Sequence, residues 1–141
     1  MNSTNEILTF DEFDNSLYEM ANLRPKRTML PYVINILYGG THQHGPRLKV
    51  STKNRYIESE TFSITIPGKE IIDSNNLVKK LKGSSVNKLF DFIDLNVEVL
   101  TNYWYQKNGI LDTEDLLDNL NLRDPKTKIV RNYREIQNAK K

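Results

Sequence analysis

Hydrophobic and polar residues alternate with period two in three stretches of the chain. Between Leu30 and Tyr38, the residues Tyr32, Ile34, Ile36 and Tyr38 share one parity, and Val33, Asn35 and Leu37 take the other. β-Branched and aromatic residues dominate, which predicts a central strand. From Arg47 to Thr52, Leu48 and Val50 alternate with Arg47 and Lys49, the pattern of a half-buried strand with a cationic outer face. From Thr61 to Ile66, Phe62, Ile64 and Ile66 lie opposite Thr61, Ser63 and Thr65. Pro67-Gly68 closes that third strand as a turn. An antiparallel meander is the simplest way to join the three.

Helical periodicity takes over elsewhere. Thr9-Phe-Asp-Glu12 has the form of a capping box, and Phe10, Phe13, Leu17 and Met20 follow at helical spacing. A helix over residues 10–22 is predicted, ended by Pro25. Val86, Leu89, Phe90, Ile93, Val97, Leu100 and Trp104 form a stripe that Leu95, Val99 and Tyr103 widen. They predict a helix of about 20 residues lying across the sheet, capped by Ser84 or Ser85 and stopped at Asn108-Gly109. Burying Phe90, Ile93, Val97 and Trp104 at about 2–3 kcal/mol each explains that spacing without any functional role. Asp112 or Thr113 caps a shorter helix that turns Leu116, Leu117 and Leu120 onto the core, and a further helical turn is expected near Val130–Gln137. The fold class is therefore α+β: an N-terminal helix, a three-stranded antiparallel meander covered by a long amphipathic helix, then a short helix and a basic tail.

At 141 residues the chain has room for one domain, and an apolar fraction of 38% allows a modest core. Three stretches read as linkers, Asn22–Thr28, Gly39–Pro46 and Arg123–Lys128, each rich in Pro, Gly or charge. The expected division is an acidic helix with a basic linker over 1–28, a core over 29–122 and a basic tail over 123–141. The absence of cysteine excludes disulfides, thiolate metal sites and cysteine nucleophiles. No apolar run approaches the roughly 20 residues of a membrane span, and no leader pattern opens the chain. A cytoplasmic protein with no membrane partner is expected.

Charge is unevenly placed. Residues 1–23 hold five acids (Glu6, Asp11, Glu12, Asp14, Glu19) and no base, and Arg24, Lys26 and Arg27 follow directly. From Arg123 to Lys141 there are seven bases and two acids. Arg47, Lys49, Lys53 and Arg55 fall on or just past the second strand, where alternate positions share a face. With Lys126, Lys128, Arg131 and Arg134 they are candidates to bind nucleic-acid phosphates. Tyr38 and Tyr56 are available for base stacking. An ordinary solvated sheet face is the bland alternative, since the net charge is only +2. Asp11, Glu12, Asp14 and Glu19 form a candidate partner-binding face, which can mimic phosphates or simply favour a helix N-terminus.

Catalytic signals are sparse. His42 and His44 are the only histidines. They are weak metal candidates, needing a third ligand such as Glu58, Glu60 or Asp73. His44 is also a weak candidate general base, which with Arg47 and Lys49 would make a toxin-type nuclease site. Ser51, Thr52, Ser59 and Tyr56 lie near it, but none sits in a nucleophile-elbow pattern. Gly39-Gly40 follows a strand, yet neither a Lys-Ser/Thr pair nor a helix follows, so no phosphate loop is present. No cofactor is implied.

His44-Gly-Pro-Arg-Leu-Lys-Val50, Phe62-Ser-Ile-Thr-Ile66, and Leu89-Phe-Asp-Phe-Ile-Asp-Leu-Asn96 continuing to Leu100 and Trp104 resemble a family of small uncharacterised bacterial, plasmid and phage proteins. That family's pattern is a His-x-Pro segment leading into a strand, a hairpin, and a helix reading Phe-Ile-x-Leu-Asn followed by Leu and Trp. The resemblance covers about residues 30–122. It implies a toxin–antitoxin component or an anti-defence accessory protein of a mobile element, and it carries no catalytic residue to this chain. The expected function is a non-enzymatic binding protein, monomeric or homodimeric, that inhibits or adapts a host nucleic-acid-handling complex. The alternatives are an RNA-processing toxin using His44, Arg47 and Lys49, or a nucleic-acid-binding regulator.

Overall fold

A computed structural model describes residues 20–37, 45–52 and 57–140. The fold is mixed α+β. Five strands form one antiparallel sheet whose spatial order follows the chain: β1 (Met20–Leu23), β2 (Val33–Leu37), β3 (Arg47–Ser51), β4 (Thr61–Thr65) and β5 (Ile71–Ile72). The three alternating stretches are its middle strands. Register places Ile34 opposite Val50, and Val50 opposite Phe62, so one face collects Ala21, Leu23, Ile34, Ile36, Leu48, Val50, Phe62 and Ile64. All eight are buried.

Two expectations fail at the first strand. Met20–Asn22, assigned above to the end of a helix, are in β1, and Asn22–Leu23 are strand rather than linker. Ala21 and Leu23 pair with Ile36 and Ile34 and are at most 1% exposed, so sheet pairing with burial outweighs the local helical pattern. The rest of the predicted N-terminal helix lies outside the described residues. Pro25 opens a single helical turn, α1 (Pro25–Thr28), a position where its missing N–H costs nothing.

The long helix is α2 (Gly83–Tyr105). Its N-cap is Lys82, which supplies no side-chain cap, so neither Ser84 nor Ser85 caps it. Gln106, in the left-handed region at φ 54, ends it before Asn108-Gly109 is reached. Its buried face is Ser85, Leu89, Phe92, Ile93, Asn96, Val99, Leu100, Tyr103 and Trp104. Phe90 and Val97 are only partly buried, so the true stripe is rotated from the one predicted. The helix kinks at Asn96, whose φ and ψ are −132° and 19°.

A second unit closes the fold: α3 (Thr113–Asp118), β6 (Asn121–Arg123), β7 (Val130–Asn132) and α4 (Tyr133–Ala139). Asp112 caps α3 through a capping box with Asp115, as expected of one of its two candidates. Leu116, Leu117 and Leu120 are buried. The stretch read as a linker and basic tail is instead a hairpin followed by a helix. Arg123 pairs with Val130 and Asn121 with Asn132, so Val130–Asn132 are strand, and the helix begins only at Tyr133. The Asp124 carboxylate accepts from the Lys126 and Thr127 amides and folds the hairpin turn. Asn132 then caps α4 in a second capping box with Glu135. Backbone pairing crosses both expected domain boundaries, from β1 to β2 and from β6 to β7.

Candidate functional site

Two surfaces carry the described members of the predicted basic set, and they belong to different sheets. The first is the outer face of the five-stranded sheet. Arg47 and Lys49 share it, as strand alternation requires, and both are half-buried. Lys49 lies opposite Asn35 on one side and Ser63 on the other, and Asn35 in turn lies opposite Asn22. Asn35 is fully buried, and neither end of its carboxamide has a hydrogen-bond partner among the described residues. The Arg47 Nε is buried and unpartnered as well. Lys53, Arg55, Tyr38, Tyr56, His42, His44 and the acidic residues Asp11, Glu12, Asp14 and Glu19 lie outside the described residues.

The second surface is the β6–β7 hairpin. Lys126, Lys128 and Arg131 are exposed on it, together with Ile129 at 52% and Val130 at 39% exposure. Arg134, the fourth predicted base of this region, is exposed and paired with two carboxylates. Its guanidinium bonds Asp118 and, at 2.7 Å, Glu114, and these acceptors hold its pKa above the ordinary arginine value. It also lies 5.2 Å from the centre of the Tyr133 ring, over which Arg27 is placed at 5.9 Å.

The hairpin is pinned at its base. Asn96 Nδ2 donates to the Asn121 carbonyl at 2.9 Å, and the Asn121 amide donates to Asn96 Oδ1 at 2.7 Å. One buried carboxamide thus completes the peptide of a β6 residue as a neighbouring strand would. Asn132 Nδ2 reaches the carbonyls of Asp118 and Leu120. The Arg123 guanidinium forks onto Asp91 at 2.9 and 3.1 Å and reaches the Lys128 carbonyl at 3.0 Å. The bond to Asp91, and then its charge, raise the Arg123 pKa. The Asp124 carboxyl is held below its ordinary value, first by the Thr127 and Lys126 amides.

Concavities add little chemistry. A pocket of about 80 Å³ between α1, α2 and the hairpin is floored by Phe92 and Leu122 and rimmed by Lys88, Arg123 and Lys128. That is well under the roughly 300 Å³ at which small-molecule sites begin. A groove of about 330 Å³ beside the α2 kink reaches that size, but it offers no basic or nucleophilic side chain. Its carboxamides are largely engaged, Asn102 with Asn108, Asn119 with the Asp115 carbonyl, and Asn96 with Asn121. Among the described residues no three potential metal ligands gather. Asp73, considered above as a third ligand for the histidines, accepts from the amides of Leu77 and Val78.

The hairpin anchors were missed from the sequence. Asn132-x-x-Glu135 was a readable capping signal, whereas nothing local marks Asn96 as a partner for a strand 25 residues away. No helix among the described residues is long and apolar enough to cross a membrane. No family model, curated protein or solved structure matches the chain. The family resemblance over residues 30–122 therefore rests on its motifs alone.

Proposed function

We propose that the chain is a non-enzymatic binding protein of a phage or mobile element that inhibits or adapts a nucleic-acid-handling complex. The β6–β7 hairpin is its contact surface. The observation that carries this reading is the pair Ile129 and Val130, left exposed between Lys126, Lys128 and Arg131 on a hairpin fastened at its base by Asn96, Asn132 and the Arg123–Asp91 pair. Apolar side chains among cations suit a partner that offers a hydrophobic contact within an anionic surround. A hairpin held in place before contact gives up little conformational freedom on binding. An RNA-processing toxin keeps one observation in its favour, the placement of Arg47 and Lys49 on one face.

The test is affinity capture from a lysate of the cell of origin, with and without nuclease, comparing the wild-type chain with Lys126→Glu/Lys128→Glu/Arg131→Glu. The expected result is a stoichiometric nucleic-acid-handling complex that survives nuclease and is lost in the triple variant. Equal capture by the variant overturns the surface assignment. A catch that vanishes with nuclease transfers the reading to direct nucleic-acid binding. RNA cleavage lost in His44→Ala, with folding intact, establishes the toxin instead.

A further inference from the structure

Backbone pairing in the β6–β7 hairpin leaves one residue with both of its main-chain groups unused. The Asp124 amide donates to the Ile129 carbonyl and the Tyr133 amide to the Leu120 carbonyl, each at 2.9 Å. Bonded and non-bonded pairs alternate along an antiparallel ladder, so Leu122–Arg131 is the bonded pair between those two. The same alternation turns the main-chain groups of Asn121, Arg123, Val130 and Asn132 away from the opposite strand. Asn121 fits this phase, since its amide and carbonyl both meet Asn96 on the outer side of β6. On the outer side of β7 the Asn132 amide is taken by Glu135. Val130 has no such partner among the described residues, and its amide and carbonyl face off the end of the two-stranded sheet. The residue is 39% exposed, and Ile129 and Arg131 beside it are exposed too. One edge of the hairpin is therefore closed by α2, and the other stands open.

We infer that β7 receives an extended acidic segment of the protein partner as a third strand. This rests on the hairpin being the contact surface and names how the contact is made. A free donor and a free acceptor on one edge residue are matched by the peptide groups of another strand, which returns both bonds. A phosphate offers acceptors only and leaves the Val130 carbonyl unmatched. Side chains of an added strand alternate in face, so the residue opposite Val130 shares its face and the two beside it meet Ile129 and Arg131. An apolar residue suits the first place and a carboxylate the place opposite Arg131. Lys126 and Lys128, exposed on the same hairpin, extend the preference for acid along the segment. A second copy of β7 would match the apolar pair but bring two sets of these cations together, and like charges across strands are unfavourable.

The experiment titrates the full chain with a capped peptide, Gly-Ser-Glu-Val-Glu-Val-Glu-Ser-Gly, and follows the Val130 amide by NMR and hydrogen exchange. Binding is expected to shift that amide and slow its exchange. Methylating the valine nitrogens of the peptide keeps its charges and blocks its donors, and should weaken binding at least about tenfold. The same peptide with lysine in place of glutamate should not bind. Val130→Pro removes the outward amide without taking a bond from the hairpin, so it should fold and bind the peptide at least about tenfold more weakly. The methylated peptide tests the same bond on the unaltered chain. No binding at millimolar peptide, an unmoved Val130 amide, or equal binding of the methylated peptide overturns strand addition. If the methylated peptide binds equally and Lys126→Glu/Lys128→Glu/Arg131→Glu abolishes binding, the hairpin still makes the contact through charge and only strand addition falls. A chain that sediments as a dimer, and as a monomer after Val130→Pro, gives the edge to a second copy and overturns the acidic partner.

Discussion

Asn96 is the residue whose removal the structure makes most informative. It is 2% exposed and sits at the kink of α2, and its carboxamide makes three hydrogen bonds of 2.7–2.9 Å, two of them to Asn121. Asn96→Ala deletes all three and leaves the Asn121 N–H and C=O without their partner. A net 0.5–1.5 kcal/mol per bond is the usual scale, and a stranded buried group costs more. Asn121 is only half-buried, so water recovers part of the loss. The expected destabilisation is about 2–3 kcal/mol. In a chain of this size that corresponds to a fall in Tm of roughly 6–12 °C. Urea unfolding at neutral pH measures the first figure and a thermal scan the second. Hydrogen exchange supplies the local signature, since the Asn121 amide should exchange far faster in the variant while amides of β3 and β4 change only with global stability. A destabilisation below about 0.5 kcal/mol, or an Asn121 amide that exchanges at the wild-type rate, would refute the clamp.

Trp104 is 1% exposed at the end of the buried stripe, so Trp104→Ala should cost about 3–5 kcal/mol in urea unfolding. Gly109 sits at φ +81 with open space where a Cβ would project, so Gly109→Ala should lose about 1 kcal/mol through backbone strain alone, read from the same melts. The Asp124 carboxyl titrates below its ordinary value of 3.8 in the folded chain, so its stabilising contribution is complete above that pH and is lost as the pH falls through the folded value; an NMR titration of the side chain should show the lowered midpoint, and Asp124→Ala should flatten the acid limb of the stability curve. Arg134→Ala breaks two exposed ion pairs, and the resulting drop in Tm should be small and shrink further as salt is added.

The middle of the sheet was legible because β2, β3 and β4 each run five residues, long enough to show alternation, and each has one apolar face. β1, β6 and β7 run four, three and three residues, too short for a period to register, and their partners decide them. Met20–Leu23 carried a helical pattern from upstream, and only pairing with Ile34 and Ile36 shows that Ala21 and Leu23 point inward. The face of α2 was misread for a different reason. Its buried side includes Ser85 and Asn96, polar residues that an apolar-stripe reading steps over in favour of Val86 and Val97. Counting Asn96 as interior brings Phe92 in with it. The sequence locates the basic residues as charges but not the ion pairs that some of them make. Arg134 is tied to Glu114 and Asp118, which lie 20 and 16 residues before it, and no local pattern announces such pairs.

The two buried asparagines can be set against each other with one substitution. A carboxamide that serves the fold should be missed when it goes, and one without a partner should not. Asn96→Leu strands the Asn121 peptide and pushes an apolar branch toward it, so it should destabilise by about as much as Asn96→Ala or more. Asn35→Leu removes a buried carboxamide with no partner from the face it shares with the buried Val33, and it should be neutral or stabilise by about 1 kcal/mol. Urea melts of the two variants therefore move in opposite directions from wild type. A matching loss in both would mean that Asn35 is held by bonds as Asn96 is, and the contrast between the two carboxamides would fall with that result. Opposite signs would mean that the sheet carries at position 35 a residue less stable than the fold allows, as natural sequences that sit above a stability threshold commonly do.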